Sequence, residues 1–360
     1  MTYAHKEIQG RMITIKEIAR QLEMSTTTVS NVIHGKTGEV SAETIDRVRT
    51  YLDKVGYVPN LNAQNLAGNQ SHIMGVVIKT RGDRYINILS EPFVSTILGS
   101  IERSIREAGY YMMLYISEDM TDILDKVAAW NTDGLLLFWM MDEDALRVYK
   151  KYRKPVVCID TYISRDIIDQ FENSFVNIGL EDEEGTYRAT RYLTGLGHKK
   201  IAFLSDNRVA GVDMRRFNGY RRALKEAGIG FEEEDFFELQ SGKHDINGSI
   251  DSLADKAARY SAVICCSDVY ASMLISSCQR KGIDIPGELS VIGFDDTFPG
   301  TLCHPPITTV HQDIEEKGYL ATKTLLKMIQ GERPENDQII MKPTLVVRDS
   351  TSVPKYSKRH

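Results

Sequence analysis

Apolar residues at helical spacing predict three short helices near the start of the chain. The first stripe runs at i, i+3, i+4 and i+7 and consists of Ile15, Ile18, Ala19 and Leu22. A second, shorter stripe consists of Val29, Val32 and Ile33, with Ser25 as its expected N-cap. A third helix would be capped by Ser41, bury Ile45, Val48, Leu52 and Val55, and end at Gly56 and Pro59. Two short helices with so brief a connection are typical of a helix-turn-helix, whose second helix enters the major groove of DNA.

The free face of the second predicted helix carries side chains suited to nucleic acid. Hydroxyl groups can bind phosphates, and an amide can read a base edge. The expected DNA contacts in this region are Thr14, Ser25, Thr26, Thr27, Thr28, Ser30, Asn31 and His34. Threonine-rich amphipathic helices also occur in proteins that do not bind DNA, so this pattern alone leaves both interpretations open.

From residue 73 onward the pattern changes to short apolar runs that alternate with amphipathic helical stretches. The runs lie at 75–78, 111–117, 134–139, 156–160, 201–205, 262–266 and 291–294. Uninterrupted apolar runs separated by helices, such as 97–107 and 219–227, predict parallel strands that are covered on both faces. Seven strands divide into two doubly wound lobes around a cleft, with the break expected at 163–174. The predicted fold class is therefore α/β.

Composition and charge narrow the class of protein. A chain of 360 residues is long enough for two or three domains. Its five cysteines show no C-x-x-C spacing and lie mostly in apolar runs, which indicates reduced thiols in a cytoplasmic protein. No apolar run reaches membrane-spanning length, and no signal-peptide pattern opens the chain. The net charge is −6, and residues 11–70 carry seven basic against six acidic residues, which disfavours a general nucleic-acid coat protein.

Polar side chains follow the carboxyl ends of several predicted strands, where doubly wound sheets bind their ligands. The residues found in this way are Lys79, Thr80, Trp139, Asp160, Ser205, Asp206, Ser267, Asp268, Asp295 and Asp296. Of these, the expected effector contacts are Lys79, Trp139, Asp160, Ser267 and Asp295. Carboxylates and a hydroxyl beside an aromatic ring indicate a polyhydroxylated ligand such as a sugar. Other interpretations stay open, with Trp139 as a core residue and Asp268 and Asp296 as caps of the segments that follow them.

The head and the core together resemble the lactose-repressor (LacI/GalR) family of transcriptional regulators. The matching segments are TVSNVIHG, VSAETIDRV, GYVPN and AQNLAGNQS, and the likeness continues to residue 352. The resemblance implies a homodimer that binds a pseudo-palindromic double-stranded DNA operator and a small-molecule effector, expected to be a carbohydrate. It also implies a three-helix helix-turn-helix head and a hinge helix, followed by a two-lobed periplasmic-binding-protein-like core of doubly wound parallel sheets.

The resemblance also implies an order of domains. An extension at 1–11 precedes the helix-turn-helix domain at 12–59, the hinge at 60–71, the effector-binding core at 72–352 and a tail at 353–360. Within the core, lobe 1 would comprise about 72–165 and 312–341, and lobe 2 about 166–311 and 342–352. No apolar heptads follow the core, so a dimer is the expected assembly.

Residue-level expectations follow from the same resemblance. In the hinge, the implied DNA contacts are Asn60, Ala63 and Leu66, with the leucine wedged into the minor groove; a plain linker is the alternative. For the effector, the resemblance implies Phe93, Asp160, Arg216, Ser267 and Asp295, and the strand ends add Lys79 and Trp139. The alternative for Arg216 is an ion pair with Asp295 or Asp160 that organises the site without contacting ligand.

Three departures from the family pattern modify these expectations. Glu23 occupies a turn position where the family usually has glycine, at a cost of about 1 kcal/mol if the backbone needs a positive φ there. Asn31 replaces an arginine that often follows TVS, which favours adenine over guanine at the contacted base. Lys79, Arg81 and Arg84 would make the cleft mouth basic and keep a phosphorylated or acidic effector as an alternative to a neutral sugar.

Two other classes of function compete with a ligand-controlled repressor. A carbohydrate hydrolase could use Asp160 and Asp295 as paired carboxylates. However, the sequence has no P-loop, G-x-G-x-x-G, nucleophile elbow or metal-ligand cluster, so no cofactor, metal or catalytic residue is expected. A transport-type binding protein would share the core and leave the head without a role.

Overall fold

The computed structural model describes residues 13–57, 71–80, 87–164, 175–206, 210–239, 246–332 and 334–355. The chain forms two compact units, a head and a core, divided in sequence between Ser71 and His72. Outside the described residues lie the expected N-terminal extension, the hinge contacts Asn60, Ala63 and Leu66, and the two arginines Arg81 and Arg84. None of the helices in the described part of the chain has the length and apolar run that a bilayer crossing needs.

The head consists of three helices around a small apolar core, as the hydrophobic pattern predicts. The helices are α1 (Ile15–Leu22), α2 (Thr26–Ile33) and α3 (Ala42–Val55). Ile18, Val29 and Val48, one from each helix, are fully buried. The predicted caps at Ser25 and Ser41 are confirmed, because their hydroxyls accept hydrogen bonds from the third helical N–H, at 3.0 and 3.3 Å.

The turn between α1 and α2 is left-handed at Glu23, with φ 53° and ψ 40°. This residue ends α1, and its N–H lies 3.4 Å from the carbonyl oxygen of Arg20. Glycine adopts this conformation without strain, whereas a residue with a Cβ pays a steric cost. The turn therefore does need a positive φ at Glu23, which is the condition under which the sequence predicts a cost for replacing glycine there.

The first lobe of the core is built on a six-stranded, fully parallel sheet. Its strands in spatial order are β11 (Gln338–Met341), β5 (Phe175–Leu180), β4 (Val156–Ile159), β3 (Gly134–Phe138), β1 (Ile73–Lys79) and β2 (Tyr111–Ser117). The helices in the described part of this lobe are α4 (Pro92–Glu107), α5 (Met120–Ala129), α6 (Asp142–Lys151) and α12 (Ile314–Ile329). Apolar clusters containing residues of α4 and α12 cover one face of the sheet, and residues of α5 and α6 cover the other.

The second lobe repeats this plan with one antiparallel strand. Its strands in spatial order are β12 (Thr344–Val346), β10 (Thr308–His311), β9 (Ser290–Asp295), β8 (Ala262–Cys265), β6 (Ile201–Ser205) and β7 (Phe236–Glu238). Its helices are α7 (Asp182–Gly195), α8 (Gly211–Glu226), α9 (Ile246–Asp255), α10 (Asp268–Arg280) and the short α11 (Phe298–Leu302). Within its described residues the core also has short 3₁₀ turns at Ile88–Ser90, Glu233–Asp235 and Ala257–Arg259. Among the described strands, β12 alone runs antiparallel, and it pairs with β10.

The expected start of the second lobe at residue 166 is wrong. β5 is the next strand after the predicted break, and it pairs in parallel with β4, so the chain is still in the first sheet at Leu180. The crossing follows β5, and α7 is the first element of the second lobe. The chain returns after β10 and crosses again between β11 and β12. A polar break in sequence marks a loop, but it does not reveal whether the next strand joins the same sheet.

Candidate functional site

The polar face of α2 divides into exposed residues and residues already engaged in the head. Thr26, Thr27 and His34 are exposed, whereas the side chains of Thr28, Ser30 and Asn31 are half-buried. The predicted contacts Ser25 and Thr14 both act as N-caps, and the Thr14 hydroxyl accepts from Glu17 N at 3.3 Å. The exposed residues of α2 and its C-cap therefore offer threonine hydroxyls and an imidazole, and Asn31 adds a half-buried amide. This set is suited to phosphates and base edges.

The core contains a cavity of about 250 Å³ at the carboxyl ends of its parallel strands. It is bordered by residues of both lobes. The seven predicted effector residues all line it, namely Lys79, Phe93, Trp139, Asp160, Arg216, Ser267 and Asp295. The residues expected from strand ends and those implied by the family resemblance therefore lie around one cavity.

An aromatic pair forms part of the cavity wall in the first lobe. Phe93 enters from the first turn of α4, and Trp139 follows β3 directly. Their ring centroids lie 6.3 Å apart with an interplanar angle of 28°. Aromatic faces of this kind pack against the apolar faces of sugars and bases, so the wall can hold a ring-shaped ligand.

Arg216 is held in the second lobe by two carboxylates and an aromatic ring. Its Nε donates to Asp182 Oδ1 at 2.7 Å, and its NH2 group donates to Asp295 Oδ1 at 3.4 Å. The guanidinium carbon also lies 3.5 Å from the centroid of the Phe294 ring. Gly219 allows α8 to approach α7 this closely, because a Cβ there would lie 2.0 Å from the carbonyl oxygen of Glu183.

Asp160 in the first lobe is paired with a lysine that the sequence analysis did not single out. The ammonium group of Lys317, on α12, donates to Asp160 Oδ1 at 2.7 Å and to Oδ2 at 3.0 Å. The same ammonium donates to Gln312 Oε1 at 2.6 Å. Gln312 then donates from Nε2 to Asp295 Oδ1 at 2.6 Å, which joins the first-lobe carboxylate to the second-lobe carboxylate.

Burial shifts the ionisation of this group of charges. Loss of water raises the pKa of Asp160 above its usual range, and Lys317 opposes that rise. Burial also raises the pKa of Asp295, against the effect of Arg216. For Arg216, burial lowers the pKa, but Asp182 and Asp295 raise it by more. The arginine therefore stays charged, and each buried carboxylate depends on its cation for its own charge.

Among the described lining residues, both basic side chains are already paired with carboxylates. Lys79 bonds Asp144 at the start of α6, and Arg216 bonds Asp182 and Asp295. Lining carboxylates outnumber lining cations, five against two: Glu91, Asp160, Asp206, Asp213 and Asp295 against Lys79 and Arg216. The described part of the cavity is therefore acidic, which is a poor environment for a phosphate group.

One group of potential metal ligands occurs among the described residues. Ligand atoms of Asp206, Asp213 and Cys266 lie within 4.8 Å of one another at the cavity. Both carboxylates also accept hydrogen bonds from uncharged groups. Tyr270 OH donates to Asp206 and Ser205 Oγ donates to Asp213, both at 3.1 Å. Hydrogen bonds within the protein thus give these side chains a structural role.

Backbone strain is concentrated at the strand ends that border the cavity. Trp139, Asp160 and Asp295 have φ angles of 56°, 50° and 99°, in the region that favours glycine. Such conformations persist only where the surrounding contacts over-determine them, and they cluster at functional sites. These left-handed residues lie at the carboxyl ends of β3, β4 and β9, where all three line the cavity.

Two alternatives from the sequence are corrected by the contacts. Asp268 does not cap α10; Ser267 does, accepting from Tyr270 N at 3.3 Å, while Asp268 lies in the core and accepts from Thr309 Oγ1 at 2.6 Å. Asp296 caps no helix either, but binds Arg348 at 2.5 Å and His311 at 3.0 Å, away from the cavity lining.

The side chains that sequence reasoning missed are the partners of the predicted ones. Asp182, Gln312 and Lys317 hold the candidate residues, and Tyr162 lines the cavity and bonds Asp182. A signal for Lys317 was present, because it occupies the buried face of α12 between Ile314 and Ala321, where an apolar residue is expected.

Comparison with known proteins decides the family. Residues 14–60 match the profile of the bacterial regulatory proteins of the lacI family, and residues 190–351 match a periplasmic binding protein-like domain. The HTH-type transcriptional repressor PurR of Histophilus somni (strain 129Pt) is 31% identical over 350 residues, covering 94% of this chain and 99% of PurR. The chain belongs to the LacI family of bacterial regulatory proteins. It is a DNA-binding transcriptional regulator with a helix-turn-helix head.

Other relatives of this LacI-family chain agree in length and fold. The HTH-type transcriptional regulator DegA of Bacillus subtilis (strain 168) is 29% identical over 355 residues, covering 94% of this chain and 98% of DegA. The lac repressor dimer bound to operator and the anti-inducer ONPF has a TM-score of 0.79 at 23% identity, covering 95% of this chain and all of that one. The CelR–cellobiose complex has a TM-score of 0.67 at 24% identity, covering 94% and 99%. These solved structures share the predicted fold.

Proposed function

We propose that this regulator is a repressor whose affinity for its operator is controlled by a neutral, hydroxyl-rich small molecule bound in the core cavity. The observation that carries the proposal is the composition of the cavity wall. Carboxylates from both lobes and an aromatic pair line it, and every lining cation among the described residues is already paired with a carboxylate. Carboxylates accept hydrogen bonds from hydroxyl groups, and an aromatic face packs against a ring. Among structural neighbours, CelR is in complex with cellobiose.

The effector contacts are proposed to be Lys79, Phe93, Trp139, Asp160, Arg216, Ser267 and Asp295. Asp160 and Asp295 would accept hydrogen bonds from hydroxyl groups, and Arg216 would donate to a ligand oxygen from its fixed position. Lys79 is already paired with Asp144, so it favours a neutral ligand over a phosphorylated one. The cavity volume of about 250 Å³ is at the small end of ligand sites, which span roughly 300–1,000 Å³ for drug-sized molecules.

On the DNA side, the proposal assigns Thr14, Ser25, Thr26, Thr27, Thr28, Ser30, Asn31 and His34 to the major groove and its phosphates. The hinge contacts would be Asn60, Ala63 and Leu66, with Leu66 inserted into the minor groove. A homodimer would place two heads on the half-sites of a pseudo-palindromic operator. Such a protein acts in the cytoplasm, where its DNA lies, and it returns its ligand unchanged.

A thermal-shift comparison of matched ligands tests the effector class. Neutral D-ribose, D-glucose and cellobiose would be compared with ribose 5-phosphate and glucose 6-phosphate. A ligand at a hundred times its Kd adds about 2.7 kcal/mol, equivalent to several degrees in melting temperature. A shift with a neutral sugar and none with its phosphate supports the proposal; a shift with phosphates alone contradicts it.

Two controls locate the binding and the coupling. Asp160→Asn is expected to lose the shift, whereas Glu118→Gln, an exposed carboxylate outside the cavity lining, keeps it. Coupling between sites is reciprocal, so operator DNA must change effector affinity by the same factor by which effector changes operator affinity. Equal effector affinities with and without operator would refute control of DNA binding, and turnover of the ligand would indicate an enzyme.

A further inference from the structure

Lys317 is a charged side chain at a position that the helix pattern reserves for an apolar one. Its side chain is 0% exposed, and its neighbours on the buried face of α12 include Gly318 and Ala321. Gly318 lets α12 approach α4 closely, because a Cβ there would lie 3.0 Å from the carbonyl oxygen of Ile97. A buried lysine is costly unless it is fully paired, so its partners account for its presence.

All three hydrogen-bonding positions of the Lys317 ammonium are occupied. Two are taken by the Asp160 oxygens at 2.7 and 3.0 Å, and the third by Gln312 Oε1 at 2.6 Å. The ammonium nitrogen also lies 5.5 Å from the centroid of the Phe93 ring. Asp160, Gln312 and Phe93 line the cavity, and Lys317 lies behind all three without lining it.

The contacts of Lys317 extend from one lobe into the other. Gln312 lies where the chain passes from β10 in the second lobe to α12 in the first, and its amide donates to Asp295 at 2.6 Å. Asp295 is in turn bound by Arg216. A continuous chain of hydrogen bonds therefore runs from Asp160 through Lys317 and Gln312 to Asp295.

We propose that Lys317 is a positioning residue that keeps Asp160 charged and couples the two cavity carboxylates across the lobes. A ligand hydroxyl that bonds Asp160 competes for oxygens that Lys317 holds, and the lysine passes that change through Gln312 to Asp295. Lobe closure and ligand contact would then share one hydrogen-bond network. The transmission of a ligand signal rests on the proposed function, whereas the charge and the coupling can be tested without any ligand.

The charge on Asp160 can be followed by the fluorescence of Trp139. The chain has two tryptophans, so Trp130→Phe leaves a single reporter in the cavity wall. Asp160 is faced by Lys317 from α12, Asp182 from α7 and Arg216 from α8, with Tyr162 two residues along. The probe is pH alone, and fluorescence is recorded for the ligand-free full chain.

Removing the lysine is expected to move the titration of Asp160 upward. In Lys317→Met the carboxyl keeps its burial but loses the cation that opposes the rise of its pKa, so the fluorescence midpoint should rise by at least about one pH unit. Asp160→Asn should abolish the transition in both backgrounds. Lys323→Met, an exposed lysine on the same helix, should leave the midpoint unchanged. An unchanged midpoint in Lys317→Met overturns the proposal.

A double variant covers the case in which Lys317→Met does not fold. Lys317→Met combined with Asp160→Asn removes both charges, so the double variant should recover the folded state. A double variant that stays unfolded would mean that Lys317 serves packing and not the charge of Asp160, and it would overturn the proposal.

The coupling across the lobes has a separate measurement. Melting temperatures of Asp160→Asn, Asp295→Asn and the double variant form a cycle. With Lys317 present, the effect of the double variant should differ from the sum of the single effects. In the Lys317→Met background the effects should add. Additive effects with Lys317 present would show that the lysine does not connect the two carboxylates.

Discussion

Arg216 donates from Nε to Asp182 Oδ1 at 2.7 Å, with both side chains almost completely buried. Breaking such a pair from one side leaves an uncompensated charge in the core, which typically costs about 3–5 kcal/mol. Arg216→Ala should therefore destabilise the core by that order, besides removing effector binding. Denaturant unfolding of the two proteins measures the loss. Arg188→Ala removes an exposed pair with Glu184 and should cost at most about 1 kcal/mol; equal losses for the two variants would contradict the assignment.

Asp268 is expected to make the stability of the core depend on pH in the neutral range. Burial raises its pKa from 3.8 to about 7, with Asp295 and Asp296 adding to the rise and hydrogen bonds from Thr309 and Thr297 opposing it. Because the pKa of Asp268 is higher in the folded state, its carboxyl contributes to the free energy of unfolding. That contribution is fully present below pH 3.8 and is lost as the pH rises through about 7. Inside this window the free energy of unfolding should fall by about 1.4 kcal/mol per pH unit, relative to a variant with a neutral side chain at this position.

The comparison that isolates this effect uses Asp268→Asn. The difference in unfolding free energy between wild type and the variant should fall by about 2–3 kcal/mol from pH 5 to pH 7. The same comparison for Asp125→Asn, an exposed carboxylate whose pKa is held below its usual range by Lys151, should stay constant over this range. A constant difference for Asp268→Asn would mean that this carboxyl titrates at an ordinary pH.

Glu23→Gly should stabilise the head. The residue has a φ of 53°, which glycine adopts freely, so removing the Cβ should gain about 0.5–1 kcal/mol. Hydrogen exchange of amides in α1 and α2 of the full chain should slow accordingly. Glu43→Gly, in the first turn of α3, should have the opposite effect, because glycine weakens a helix. Faster exchange in Glu23→Gly would show that the carboxylate contributes more than the strain costs.

Asn31→Arg should change the base that the head prefers. An amide bonds adenine in the major groove, whereas a guanidinium bonds guanine, and a matched pair is worth about 1–3 kcal/mol of discrimination. Selection of operators from a randomised pool should move from adenine to guanine at one symmetric position. Lys16→Arg, on the exposed surface of α1, serves as the control and should leave the selected sequence unaltered. An unchanged preference in Asn31→Arg would remove that residue from base recognition.

The sequence predicted the strands that read as continuous apolar runs and missed those that do not. The predicted runs became β1, β2, β3, β4, β6, β8 and β9. β5 was missed because Asn177 interrupts its apolar run; the side chain is buried, accepts from Thr161 N at 3.1 Å and donates to Gln338 at 3.0 Å. β7 and β12 are three-residue edge strands, too short for periodicity to detect.

The lining of the candidate site and one of its ion pairs, Arg216 with Asp295, could be predicted from the sequence, whereas its other pairs could not. Strand ends predicted Asp160 and Asp295 as neighbours, because parallel strands end at the same edge, and the family resemblance added Arg216. Their partners Asp182 and Lys317 lie on other elements, and only the packing of α7 against α8 and of α12 against the first sheet brings them into contact. Periodicity within one segment carries no information about such contacts.

The route of the chain between the lobes has a consequence for synthesis on the ribosome. The first lobe needs α12 and β11, which are translated only after nearly all of the second lobe. A nascent chain that has completed β4 already exposes Asp160, but its cation Lys317 is encoded 157 residues later. Until then α4 and the sheet lack the helix that covers them, and the emerging lobe presents apolar surface to chaperones. A truncated product that ends before α12 would therefore have a complete DNA-binding head and an incompletely folded core that is susceptible to proteolysis.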